Sequence, residues 1–206
     1  MNKIWNAPQG AFFFVCRKAR RIGLAPSLRY TAYMNNPAAD IFSAIVAAPF
    51  GGIGIRTEAA RVRELVYLPP HFGEKNPLDP VAELAARQVG QYLLDPDFRF
   101  DLPLLEAGSA FQRRVWEAIS AIPRGTVRTY GQVAKHIGSA PRAVGQACGA
   151  NWFPIIIPCH RVTAAGGLGG FSNHDDENGF HLSVKRWLLA HEGAGKGPWQ
   201  QQSIFN

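Results

Sequence analysis

Apolar periodicity in this chain comes only in short pieces, interrupted throughout by 15 prolines and 21 glycines in 206 residues. Such a chain builds several short elements around a core. No apolar run approaches the ~18–20 residues that a membrane-spanning helix needs. The apolar stretch at 11–15 is short, and its cationic cluster follows it, the wrong order for a secretory signal. With 47% hydrophobic and 18% charged residues the chain can bury a core, which excludes wholesale disorder. Cys16, Cys148 and Cys159 are too few and too unevenly spaced for a disulfide framework or a zinc site. The expectation is a cytoplasmic protein with free thiols and no membrane partner.

Residues 1–33 show neither helical nor alternating periodicity and carry six bases with no acid. They are expected to be a poorly ordered extension, or to follow an upstream start that is not the natural one, Met34 being a second methionine just before the first regular pattern. Between 41 and 68, short apolar runs separated by Gly51-Gly52 and a few polar residues fit a small antiparallel sheet. Asp79-Pro80 opens a helix, with Asp as N-cap and Pro in its first position. Val81, Leu84, Ala85, Val89, Tyr92 and Leu93 form its apolar face, and Asp95-Pro96 closes it. Residues 98–106 read as a connector, so an α/β domain is expected over 34–106.

Ser109 to Gln112 and Thr129 to Gln132 both have capping-box spacing. The first opens a helix with Phe111, Val115, Ile119 and Ile122 on one face. The second opens a short helix ending at Gly138, and after Ser139-Ala140-Pro141 a third helix over 142–150 consists almost entirely of small residues. Two short helices joined by a Gly-containing turn make a helix-turn-helix pattern. The small second helix suits a DNA groove and tight internal packing equally well. Residues 110–162 hold seven bases against Glu117 alone, whereas residues 34–109 hold six bases against ten acids. An acidic half beside a basic half points to one domain that faces a polyanion.

Residues 155–157 are expected to form a buried β-branched strand that delivers Pro158-Cys159-His160-Arg161-Val162. A cysteine beside a histidine is the arrangement nucleophilic chemistry needs. A free thiol of pKa ~8.5 is only a few per cent thiolate at neutral pH, and a histidine that accepts its proton raises that fraction. An acid further along the chain would orient the imidazole. Neighbours on a strand point to opposite faces, so direct contact between Cys159 and His160 requires a turn or a bridging water. A buried structural cysteine beside a hydrogen-bonded histidine presents the same pair.

That five-residue core, preceded by Arg142-Ala143-Val144-Gly145 and Asn151 and followed by Trp187-Leu188-Leu189-Ala190-His191-Glu192-Gly193, resembles the O6-alkylguanine-DNA alkyltransferases (methylated-DNA–protein-cysteine methyltransferases). The resemblance is close from 111 to 193, looser from about 41 to 106, and does not reach 1–33. It implies an α/β N-terminal domain with a small antiparallel sheet, and a mostly α C-terminal domain over 107–206 with a winged or helix-turn-helix DNA-binding motif. The implied reaction is a single, irreversible transfer of a methyl or larger alkyl group from guanine O6 to Cys159, after the nucleotide is flipped out. His160 and Glu192 would draw the thiol proton with a water, and Tyr130 would assist departure of the guanine. Arg142 would take the place of the flipped nucleotide, and Ala143, Gly145, Arg128 and Arg161 would face the DNA. Asn151 would be the hinge, and Val162, Phe171 and Ser172 would line the pocket. The implied partner is double-stranded DNA containing O6-alkylguanine, met by a monomer with no cofactor and no metal.

Three positions depart from the family pattern. Trp152 stands where the family has Pro, Phe171 stands where some members have Tyr, and the loop at 173–183 is longer than usual. His174 and the three acids after it read as a solvated loop in preference to a metal site. The glycine-rich stretch at 166–170 lacks the Lys-Ser/Thr of a phosphate loop and reads as a pocket wall. Arg113-Arg114 reads as a solvated helix face, and Cys148 as a small helix residue facing groove or core. Two competing readings are a binder of alkylated DNA that does not react, and a cysteine hydrolase built on Cys159 and His160. Cys159 argues against the first; the second leaves the Arg-rich helix-turn-helix unexplained.

Overall fold

A computed structural model describes residues 40–194; the expectations for 1–33, Cys16 included, lie outside them. Three strands, β1 (Ala44–Ala48), β2 (Gly51–Glu58) and β3 (Arg61–Leu68), form an antiparallel sheet in that order. The alternation Gly52-Ile53-Gly54-Ile55 is the key to its two faces. Ile53 and Ile55 point into the main core and are 1% and 0% exposed. Phe42, Ile45 and Leu68 cover the glycine face as a small separate cluster. A Cβ on Gly54 would come within 2.6 Å of the Phe42 ring, so the absence of a side chain is what lets that ring lie flat on the strand.

Helix α1 (Pro80–Leu94) packs on the isoleucine face, as Asp79 directs. The Asp79 carboxylate caps the amides of Val81 and Ala82 at 2.9 and 2.8 Å and accepts from Thr57 of β2 at 2.6 Å. Burial pushes this carboxyl up, but the three bonds outweigh it and hold it below its usual value. The buried face is Ala82, Ala85, Gln88, Val89 and Tyr92; Val81, Leu84 and Leu93 of the expected stripe are half-buried at its edge. Gln88 is buried because its amide pairs twice with the backbone of Asp101, at 2.8 Å each way. The connector at 98–106 is thereby pinned, and its end pairs with Val62 on the edge of β3.

Ser109 and Thr129 form the expected capping boxes, opening α2 (Ala110–Ser120) and α3 (Tyr130–His136). Four residues separate α3 from α4 (Pro141–Gly149), which packs on α2 through the Trp116 indole donating to the Ala147 carbonyl at 2.8 Å. A two-residue parallel pair, β4 (Arg128–Thr129) with β5 (Val162–Thr163), and helix α5 (Phe180–His191) complete the described chain. One continuous core cluster runs from Ala44 to Leu189, joining the sheet to the helical half.

The strand expected at 155–157 does not form. Pro154 and Pro158 bracket the isoleucines and supply no amide for a ladder. The segment turns instead, with Ile155 at φ +66° and Ile157 N–H bonded back to Phe153 at 2.8 Å. Neighbouring β3 takes the Trp152 carbonyl through Leu65 at 2.9 Å. Among the described residues no helix is long and apolar enough to cross a membrane.

Ala59 and Ala60, joining β2 to β3, both lie in the left-handed region at φ 48° and 56°. A two-residue turn with both centres left-handed favours Asn-Gly, and each alanine Cβ is strained there. Replacing the pair by Asn-Gly is expected to stabilise the fold by about 1 kcal/mol. Thermal denaturation should read this as a rise of about 2–4 °C; an unchanged midpoint would show that the strain is relieved elsewhere.

Candidate active site

The chain turns sharply at Cys159–Arg161 in a single 3₁₀ turn, and so supplies the bend that adjacent Cys and His side chains need to serve one site. Both residues are buried, Cys159 at 4% exposure and His160 at 0%. Asn151 holds the segment together. Its amide donates to the Ile157 carbonyl at 2.8 Å and to the Cys159 sulfur at 3.3 Å, while its oxygen accepts from Phe153 N–H at 2.9 Å. Trp152 leaves these bonds intact; its side chain turns outward, 38% exposed.

Nε2 of His160 lies 3.0 Å from Oε1 of Glu192, though neither ring nitrogen has a well-aligned hydrogen-bond partner among the described residues. Glu192 caps the C-terminus of α5 and is fully buried. Arg161 clasps it from two sides, Nε to Oε2 at 2.8 Å and Nη2 to Oε1 at 2.9 Å. The Tyr92 hydroxyl donates to Oε1 at 2.9 Å. Burial pushes the Glu192 carboxyl up, but the His160 and Arg161 contacts outweigh it and hold it well below the usual range. Burial lowers the imidazole of His160, which Glu192 only partly offsets, so it is neutral at pH 7 and available as a base.

Arg161, expected to face DNA, does not: its guanidinium is committed to Glu192 and to the Ile122 carbonyl at 2.5 Å. Counting bases along a segment could not reveal an acid 31 positions away. Arg142 and Arg128 are exposed, and Ala143 and Gly145 lie beside Arg142 on α4. Of the Arg113-Arg114 pair, both exposed, Arg113 bonds the Gly108 carbonyl and Arg114 lies over Phe111.

A cavity of about 540 Å³ opens above Cys159 between α4 and the turn after Gly170. Tyr130, Arg142, Gly145, Cys148, Phe171 and Ser172 line it. Ser172 and Asn173 form a tight turn, both left-handed at φ 51° and 63°, and the Asn173 amide reaches across to the Gly149 carbonyl at 3.0 Å. His174 stacks on His181 at 3.7 Å, rings nearly parallel, which is not a geometry for sharing a metal. The Tyr130 hydroxyl donates to the Gly170 carbonyl at 3.0 Å, and burial raises its phenol.

Sequence reading missed Lys185. Its ammonium is fully buried and donates to the carbonyls of Val162, Leu168 and Gly170 at 2.8, 2.7 and 3.0 Å. It also lies 5.8 and 5.7 Å from the ring centres of Tyr130 and Phe171. Burial lowers it to about 8, against the pull of the two cysteines. Burial likewise pushes the Cys159 thiol up, while Asn151 and the Lys185 charge draw it down. The signal was available: Lys185 interrupts the apolar stripe of Leu182, Leu188 and Leu189 at helical spacing. Val162, expected to line the pocket, is buried and has its carbonyl in use by Lys185.

The arrangement is a buried thiol, a neutral imidazole and a fixed carboxylate beneath a cleft with an exposed arginine at its mouth. A family model described as "6-O-methylguanine DNA methyltransferase, DNA binding domain" matches residues 110–194. Methylated-DNA–protein-cysteine methyltransferases of Archaeoglobus fulgidus and Methanosarcina acetivorans are each 42% identical to the chain. The first match spans 109 residues, 52% of this chain and 73% of the relative; the second spans 113 residues, 53% and 68%. Among solved structures, the Mycobacterium tuberculosis O6-methylguanine methyltransferase is similar with TM-score 0.58 at 32% identity, covering 75% of this chain and 93% of that one. The same enzyme in complex with DNA gives TM-score 0.59 at 33% identity, covering 73% and 91%.

Because the Glu192 carboxyl is held below its unfolded value of about 4.5, its contribution to stability is complete above that pH and is lost as pH falls toward the folded value. Glu192→Gln is expected to cost about 3 kcal/mol at pH 7, since the half-buried Arg161 is left without its counter-charge. The difference in melting temperature between the two proteins should shrink as the pH is taken from 6 to 3. A difference that stays constant would mean that the charge pair contributes nothing net.

Proposed function

The chain belongs to the methylated-DNA–protein-cysteine methyltransferase family, and on that footing we propose that it repairs O6-alkylguanine in DNA by moving the alkyl group onto Cys159. The observation that carries this is the placing of the Cys159 sulfur, buried under the cavity and next in sequence to a neutral histidine paired with a carboxylate. His160 takes the thiol proton, and Glu192 stabilises the imidazolium that results. The sulfur electron pair forms a bond to the alkyl carbon while the bond from that carbon to O6 breaks. The electrons of that bond pass into the guanine, which leaves restored once it regains a proton, with Tyr130 placed to assist. The product is a thioether that no water attacks, so each chain acts once.

An alkyl carbon within a stacked duplex cannot be approached in line by a sulfur at the floor of a cavity. The nucleotide must therefore be extruded, at a cost of a few kcal/mol. Arg142, exposed in the first turn of α4, is the wedge that fills the gap, and Arg128 meets phosphate. We take α3 and α4 as the helix-turn-helix, with β4 and β5 in the position of a wing. Ala143 and Gly145 keep the leading face of α4 shallow enough for a minor groove, which reads little sequence. Asn151 ties that helix to the cysteine turn, and Phe171 and Ser172 wall the base. In this reading residues 107–206 bind DNA and carry out the transfer, and 34–106 support them. The protein works as a monomer in the cell's interior, and the chemistry asks for no cofactor or metal. A binder that does not react is not favoured, because Cys159 is present beneath the cavity.

Incubation with a duplex containing one O6-methylguanine should add a single methyl group to the peptide bearing Cys159, saturating at one per chain and absent in Cys159→Ala. Intact and peptide mass spectrometry read both. Binding without mass gain would leave only a lesion binder. Arg142→Ala should slow transfer from the duplex by about ten- to a hundredfold, the cost of an unfilled gap. Single-turnover kinetics with the free O6-alkylguanine base, which needs no flipping, should leave that variant near the wild-type rate.

A further inference from the structure

Tyr92 closes α1, in the half of the chain that holds the sheet, and its ring is 2% exposed. Its hydroxyl donates to Oε1 of Glu192 at 2.9 Å, a contact between residues 100 apart in sequence. That same oxygen faces Nε2 of His160 at 3.0 Å and accepts from Arg161 at 2.9 Å. The Tyr92 carbonyl pairs with the His191 ring at 2.8 Å, and the His191 ring lies edge-on to Tyr92 and stacks on Trp187. Helix α1 thus grips two successive residues, 191 and 192, at the last turn of α5. Helix ends fray, and an acid at a C-cap keeps one orientation only if something outside the helix holds it.

We propose that Tyr92 is a positioning residue for alkyl transfer: its hydroxyl fixes Oε1 of Glu192 against His160, so the sheet-bearing half takes part in the proton relay. The proposal rests on the alkyl-transfer reading above. A buried phenol could be satisfied by any carbonyl. This one is spent on the single carboxylate oxygen that serves the imidazole, where each donor it accepts takes charge away from His160. The other charged and titratable groups around the pair are Arg161, Lys185, Cys159 and the buried Tyr67, while Arg124 bonds the backbone of Glu192 at 3.2 Å. Of these, Arg161 is the one that, with Tyr92, bonds the carboxylate itself.

Removing the hydroxyl has two consequences of known sign. Oε1 loses a competing donor, its charge falls more fully on the imidazole, and His160 becomes easier to protonate. The carboxylate also loses one of its anchors. In single-turnover reactions with an O6-methylguanine duplex, Tyr92→Phe should move the acid limb of the pH–rate profile up by about half a unit. It should lower the plateau rate about three- to tenfold, with affinity for the duplex unchanged. Incorporating 3-fluorotyrosine at position 92, a stronger donor of nearly the same shape, should move the acid limb the other way. That second substitution decides the matter even if Tyr92→Phe folds poorly. Profiles that superimpose on the wild type for both substitutions would reduce Tyr92 to packing. A wild type that gains no methyl group at any pH would overturn the transfer reading, and this proposal with it.

Discussion

A carboxylate with no exposure to solvent sets the terms for the rest of this molecule. Taking Glu192 and Arg161 out of water costs several kcal/mol per ion, recovered only when geometry is good and every lone pair is used. Here the guanidinium fork grips both oxygens, and Tyr92 takes a further lone pair. Meeting that demand fixes three pieces of chain that are far apart in sequence: the end of α1, the turn at Cys159–Arg161, and the end of α5. The histidine is placed by the same requirement, because it follows the cysteine and precedes the arginine in one tight turn.

Lys185 poses the complementary problem, a buried ammonium with no carboxylate bonded to it among the described residues. Three carbonyls replace its water, all from the segment that runs from β5 to the cavity wall. The ammonium therefore ties the pocket's far wall to α5 and keeps a positive charge near the thiol. Burial alone would leave Cys159 a weak nucleophile, since a thiolate is costly in apolar surroundings. The lysine charge and the Asn151 amide oppose that cost without solvating the sulfur. A thiol so placed is shielded from adventitious electrophiles, and a positive charge stands near it to offset the cost of forming its anion.

What was legible in the sequence was what depends on near neighbours. Asp79, Ser109 and Thr129 announced their helices, because an N-cap acts over three residues. The short apolar runs between 41 and 68, split by Gly51-Gly52, announced a small antiparallel sheet, because hairpin strands are short and their turns are local. Residues 155–157 misled for the opposite reason: β-branched composition argued for a strand, but the prolines at either side remove the amides a ladder would use. Arg161, Lys185 and Tyr92 were misread or passed over because their partners lie 31, 23 and 100 positions away. A side chain's charge is visible in a sequence; which carbonyl or carboxylate consumes it is not. Cys159 and His160 stood out as adjacent residues, whereas Glu192 was reached through resemblance, because its partners His160 and Arg161 lie some thirty positions away.

This consumption of charge also narrows the surface available to a polyanion. Residues 110–162 carry seven bases, and their sum suggested a broadly basic face. Arg161 is half-buried and bound to Glu192, Arg124 pairs with Asp97 and the Glu192 backbone, and Arg113 pairs with Glu106 and the Gly108 carbonyl. The exposed bases of β4, α3 and the first turn of α4 are Arg128, Lys135 and Arg142. Of these, Arg142 lines the cavity, so positive charge stands at the cleft itself. Non-specific attraction is then modest in reach and directional. That suits a protein that reacts once and must present one sulfur to one damaged base, with the buried Lys185 ammonium as the cation that acts on the thiol.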